Sequence, residues 1–196
     1  MTEYYLRVEA VNLDSSVYDT YDVSTIRGGS FMLHNAVEGM EQKIAELSLP
    51  CTNFKDMGSA ASVGLFSFKT DENDIESTIL SPILDKILED IRSFATLVWS
   101  VHPVNENESF TSILQYLLAD CRWKQYQQAS VVLPRDKDKD NACALDGVRP
   151  AAIPDRVGDK VALISHAVYS RRGKGKRLRN QIYKNLLEQS VSDLPD

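Results

Sequence analysis

The densest chemistry in the chain is cationic. Arg171, Arg172, Lys174, Lys176, Arg177, Arg179 and Lys184 fall within fourteen residues that contain no acid, with Tyr183 among them. Such a cluster attracts phosphate backbones without reading a sequence code. On this reading Arg171, Arg172, Lys174, Lys176, Arg177 and Arg179 form a binding set for RNA or DNA. The same run also serves as a solvated helix face paired with acids of its own chain or of a partner. Twenty-eight acidic against 22 basic residues, a net charge of -6, make such acids available. From sequence both readings stand.

A second candidate is Glu9, in the stretch YLRVEAVNL. Leu6, Val8 and Ala10 alternate with Arg7, Glu9 and Val11, the period of two expected of a strand with one apolar face and one partly polar face. Glu9 can bind a cation weakly there, or pair with Arg7 on the same face as part of a structural network. A third candidate is the pair Gly28 and Gly29, in the first turns of a helix that Ser24 caps. Each glycine costs about 1 kcal/mol relative to Ala in a helix, so the pair needs a reason. Close backbone approach supplies one; a phosphate received by the free N–H groups of the helix start supplies another.

Other chemistries find no support. A structural zinc needs four ligands in close spacing, and around Cys143 only Asp146 and, at a distance, His166 are present. Cys51 and Cys121 read as buried small hydrophobes. His34 and His102 have no evident nucleophile, no G-x-S-x-G elbow occurs, and the RGG run lacks the spacing of a P-loop or dinucleotide fingerprint.

The elements that must position these residues read in order as strand, helix, strand, helix, strand, helix, strand. The first strand is the one carrying Glu9, and it belongs in the middle of the sheet. The first helix runs from Ser24 to about Leu47 and stops before Pro50. Cys51 to Met57 reads as a loop and Gly58 to Phe68 as a strand. Ser81 and Pro82 open an amphipathic helix with a stripe of Ile83, Leu84, Ile87, Leu88 and Ile91. ATLVWSVHPV is the third strand, a helix begins at Phe110, and SVVLP is a short edge strand. Residues 1–134 then form one α/β (α+β) domain with helices on one face of the sheet. The charged run 135–142 is a linker, and 143–196 a small basic extension.

At 196 residues with 43% hydrophobic content the chain can bury a real core. Three widely spaced cysteines without a signal peptide point to the cytoplasm, and no apolar run reaches the roughly 20 residues a bilayer requires. The ending SDLPD reads as a linker toward a further domain.

The segment VEAVNL resembles the D-x-D-N-L pattern that opens the palm domain of the large subunit in type III CRISPR effector complexes, a relative of GGDEF cyclases. Laid on this chain, Glu9 takes the first acidic position, Val11 the second, and Asn12 and Leu13 match. The Thr-Ile-Arg helix start is similar too. Cys143 to Ala151, C-x-x-D-G-V-R-P-A, resembles a C-x-x-C-G-x-R-P-A segment of such proteins. The resemblance implies a palm or ferredoxin-like sheet, a nucleotide or metal site around Glu9, Asn12, Gly28 and Gly29, and Mg²⁺ as cofactor if the domain is an active nucleotidyltransferase or cyclase. Such chemistry uses two carboxylates to hold paired divalent ions. Here the turn that carries Gly-Gly-Asp-Asp in the family reads GSAASVG, without an acid. The expectation is therefore a catalytically degenerate scaffold or sensing module, without cofactor, in a larger assembly of protein subunits. The resemblance implies that this assembly serves antiviral defence.

Overall fold

The structure, a computed structural model, describes residues 1–60, 62–127 and 142–192, with backbone alone for Ser15 and 186–192. The described chain divides into two compact units. The first comprises Met1–Leu13 and Leu33–Val131, the second Asp14–Met32 and Val132–Asp196.

The first unit is built on a four-stranded antiparallel sheet of β1 (Thr2–Val11), β2 (Thr52–Asp56), β3 (Val63–Thr70) and β4 (Thr96–Pro103), in the order β2-β3-β1-β4. β1 is central, as its alternation predicts. It pairs with β3 through Leu6 and Phe66 and with β4 through Leu6 and Val101. Between β1 and β2 the chain forms α1 (Leu13–Ser16), α2 (Val23–Val37) and α3 (Met40–Ala45). Between β3 and β4 it forms a π-turn (Glu76–Leu80) and α4 (Ser81–Leu88). A β-α-β-β-α-β path with this strand order is the ferredoxin-like arrangement of an α+β fold. Register decides which face each helix covers. Val8 lies opposite Gly64 and Trp99; Val37 of α2 meets the Gly64 position, and Trp99 shares a cavity with Leu80, Leu84 and Leu88. The Leu6–Val8–Ala10 face is therefore the one under α2 and α4.

α5 (Phe110–Gln127) covers the other face. Its Ile113 and Leu117 pack with Leu65, and its Cys121 with Val11 and Val98. Leu65 lies opposite Arg7, and Val98 opposite Glu9. Where the sequence reading places helices on one face, the structure has α2 and α4 on one and α5 on the other. β2 is a strand in the stretch read as a loop, because antiparallel pairing with β3 organises a segment that alternates weakly by itself. The first helix is also shorter than expected. Gly39, at φ 67°, breaks it into α2 and α3, a left-handed turn that glycine adopts at little steric cost.

The second unit contains the hairpin β5 (Ile153–Val157) and β6 (Lys160–Ile164) and the long helix α6 (His166–Ser192). The hairpin was not legible in a stretch punctuated by proline and glycine. Ile164, Val168 and Cys143 form its small core, with Leu145 and Val157 against them. Asp14–Met32 belongs to this unit rather than to a continuous 1–134 domain, because its carboxylates and glycines are the partners of α6. The expected strand SVVLP and residues 135–141 of the expected linker lie outside the described residues.

Candidate functional site

Glu9 points to the sheet face that α5 covers and is only 8% exposed. A carboxylate withdrawn from water needs compensating charge, and Glu9 has it from two sides. Arg7 donates from Nη2 to Oε2 at 3.1 Å, and the Arg122 guanidinium of α5 lies 3.5 Å from Oε1. The hairpin joining β2 to β3 falls where the palm resemblance places its acidic turn, and Asp56 is the acid beside it. Asp56 Oδ1 accepts a hydrogen bond from the Gly58 N–H at 2.8 Å, which folds the turn back on itself. These residues do not fit a pair of divalent ions: one carboxylate is held by arginines and the other by a turn amide. Among the described residues no group of three or more His, Cys, Asp or Glu side chains stands close enough to hold a metal. Asn12 adopts φ 55° at the end of β1, a left-handed conformation that Asn tolerates, and turns the chain into α1.

The second unit gathers the other expected residues. Arg171 is fully buried. Its Nη1 donates to Asp19 Oδ1 at 2.9 Å and to the Ser16 carbonyl, its Nη2 donates to Asp19 Oδ2 at 3.0 Å, and its Nε reaches the Ala167 carbonyl one turn back. Arg149 meets the same Asp19 carboxylate and also Asp146. At the next position of α6, Arg172 joins Asp22 at 3.2 Å with Asp155 and the Arg156 carbonyl, and one turn further Lys176 lies 3.4 Å from Asp155. Bidentate guanidinium–carboxylate geometry of this kind is the strongest form of ion pair. Burial opposes the charge on Asp22, yet hydrogen bonds from Thr25 and the nearby Arg172 outweigh it and hold the carboxyl below its ordinary range. Asp146 behaves alike: burial raises it, and the Val148 and Arg149 amides with the Arg149 guanidinium lower it further.

Arg171 and Arg172 are therefore corrected from phosphate ligands to internal partners of Asp19, Asp22 and Asp155, with Lys176 at the edge of the same network. Lys174 lies over the Phe31 ring at 5.5 Å. Arg177 and Arg179 stay exposed, Arg179 against its neighbour Asn180. Of the six-residue binding set these three remain at the surface, and Lys184 further along α6 is exposed as well.

Gly28 and Gly29 are explained by packing. A Cβ on Gly28 would strike the Arg171 carbonyl and stand 2.9 Å from the Gly175 nitrogen, and a Cβ on Gly175 would strike the Ser24 carbonyl. The two helices thus cross backbone to backbone at a glycine pair, and α6 runs over the start of α2 where a phosphate would have to sit. Gly175 was missed because its partner lies 147 residues away in sequence. The N-cap was misplaced as well. Asp22, not Ser24, accepts from the Thr25 N–H, at 2.9 Å.

The C-x-x-D-G-V-R-P-A segment folds as a turn around Asp146. Its side chain accepts from the Val148 and Arg149 amides at 2.9 and 3.0 Å, and Ser165 Oγ lies within 3.3 Å of it. Cys143 is simply core.

No family model matches this chain, and no curated protein does. Among solved structures, a de novo designed protein with a ferredoxin fold, LFR1 1, determined by NMR in solution, aligns over 56% of this chain and 91% of its own. The pair share 16% identity at a TM-score of 0.29. The fold assignment accordingly rests on strand order and register. Among the described residues no helix is long and apolar enough to cross a membrane.

Proposed function

We propose that this chain is a catalytically inert palm-like module that acts through protein contacts, as a scaffold or sensor within a larger assembly. Antiviral defence is the context that the resemblance of VEAVNL and Cys143–Ala151 supplies. The observation that carries the reading is the state of Glu9. The one acid at the first-strand position is neutralised by Arg7 and Arg122 and lies beneath α5. A nucleotide held by paired ions needs an accessible carboxylate with open coordination positions, and this one has neither. The ferredoxin-like sheet then serves as a rigid frame for presenting surfaces.

The test is turnover. The purified protein, incubated with labelled ATP or GTP and Mg²⁺ or Mn²⁺, should yield neither an oligonucleotide nor a cyclic product. Robust product formation that disappears in Glu9→Gln would overturn the proposal.

A further inference from the structure

α5 buries one stripe on the sheet and leaves a second bare. Ile113, Leu117 and Cys121 face inward. On the opposite side Tyr116, Ala119, Trp123 and Tyr126 recur at steps of three, four and three residues, the spacing of a helix–helix seam. All four are exposed, and the aromatics strongly so: Tyr116 is 49%, Trp123 64% and Tyr126 87% exposed. Large aromatic side chains aligned this way and left in water mark an interaction surface. Tyr116 is already fixed in place, its ring tilted at 46° to that of His102 with centroids 4.4 Å apart, and Glu108 holds His102 at 3.0 Å.

We propose that this stripe is a dimer interface, and that its occupant is α5 of a second copy of the chain, packed antiparallel about a twofold axis that passes near residue 121. The inference rests on the reading of the chain as a module that works through protein contacts and goes further by naming the partner. Two arguments carry it. The first is self-complementarity of size. In that register Ala119 lies opposite the partner's Trp123, and Tyr116 opposite the partner's Tyr126. The largest side chain thus meets the smallest, and the contact is the same from either side, as a closed pair requires.

The second argument is area. At these exposures the three aromatics offer roughly 400 Å² on each copy. Two copies bury about 800 Å², and the exposed flanking Ser112, Gln115 and Gln127 bring the total toward the ~1,200 Å² of a small specific interface. The charges beside the seam add no isolated ion: Asp120 is paired with Lys124 at 2.8 Å, and Arg122 bonds Gln125 at 2.8 Å and faces Glu9.

The experiment is light scattering of the purified full chain from about 1 µM to about 1 mM, repeated for Trp123→Ala and Ala119→Glu. Both positions are exposed, and circular dichroism verifies that each variant stays folded. The expected result is a mass that rises from monomer to dimer, with dimer affinity lowered roughly thirtyfold by Trp123→Ala and pairing abolished by Ala119→Glu. A monomer at every concentration would overturn the inference, as would a dimer indifferent to both substitutions. A monomer whose Trp123 fluorescence is quenched by a single-stranded oligonucleotide would overturn it too, giving the stripe to nucleic acid. These outcomes are independent of nucleotide turnover, so this inference and the proposed function can fail separately.

Discussion

Replacing Gly28 with alanine separates a packing role from a ligand-binding role. A helical glycine changed to alanine gains about 1 kcal/mol of helix propensity. At position 28 the added methyl meets backbone, the Arg171 carbonyl and the Gly175 nitrogen, which cannot rotate away. α2 and α6 must then separate at their closest point, loosening the Arg171 and Arg172 pairs beside it. Overpacking of this kind costs roughly 1–3 kcal/mol even where side chains can adjust, and backbone contacts place this case at the upper end. Gly28→Ala should therefore lose a net ~1–2 kcal/mol or more. Two controls calibrate the result. At Gly29 the new methyl meets side-chain atoms, Arg171 Cδ at 3.1 Å and Val17 at 3.5 Å, so a shift of a few tenths of an ångström relieves the contact and clash and propensity nearly cancel. At Gly173 the nearest atom is Arg177 Nη1 at 3.9 Å, so the propensity gain survives as up to ~1 kcal/mol of added stability. Urea unfolding followed by circular dichroism reads all three. If Gly28→Ala proves as stable as the parent, the close helix crossing is not what the glycine serves and the argument fails.

Two further expectations concern the ion network. Arg171→Met leaves Asp19 with one buried guanidinium fewer and should cost roughly 3 kcal/mol, whereas Arg177→Ala or Arg179→Ala should stay within about 0.5 kcal/mol; equal effects in chemical unfolding would put Arg171 at the surface. Asp22, Asp146 and Asp155 all titrate below the ordinary aspartate value of 3.8 in the folded chain. Their contribution is thus complete well above pH 3.8, begins to fall near that value and is lost as pH drops through the lowered folded values. Melting temperature measured from pH 6 to pH 2.5 should fall steeply below about pH 4, and a flat profile there would contradict it.

The parts of the fold that the sequence discloses are those whose information is local. The β1 alternation around Leu6 and Val8 and the stripe of Ile83, Leu84 and Ile87 each lie within one element and appear where their patterns predict, whereas helical backbone already runs through the π-turn before Ser81, and Ile91 lies beyond the end of α4. β2 and the β5–β6 hairpin were missed because TNFKD and IPDRV become strands only through a neighbour's hydrogen bonds. The same distinction governs the candidate residues. The run of arginines and lysines in α6 is a local pattern, but the charge available at its surface depends on Asp19, Asp22 and Asp155, which no spacing rule ties to it. A guanidinium cannot be buried unpaired at tolerable cost, so acids not paired with a base of their own segment, such as Asp19 and Asp22, are a signal that a distant basic run is partly internal. Two glycines six and seven residues beyond Asp22 strengthen it, because segments joined by buried ion pairs must also come close. Together, Asp19, Asp22 and Gly28 mark the side of the Asp14–Met32 segment that α6 occupies. The basic run is thus a seam with a surface remainder in Lys174, Arg177, Arg179 and Lys184.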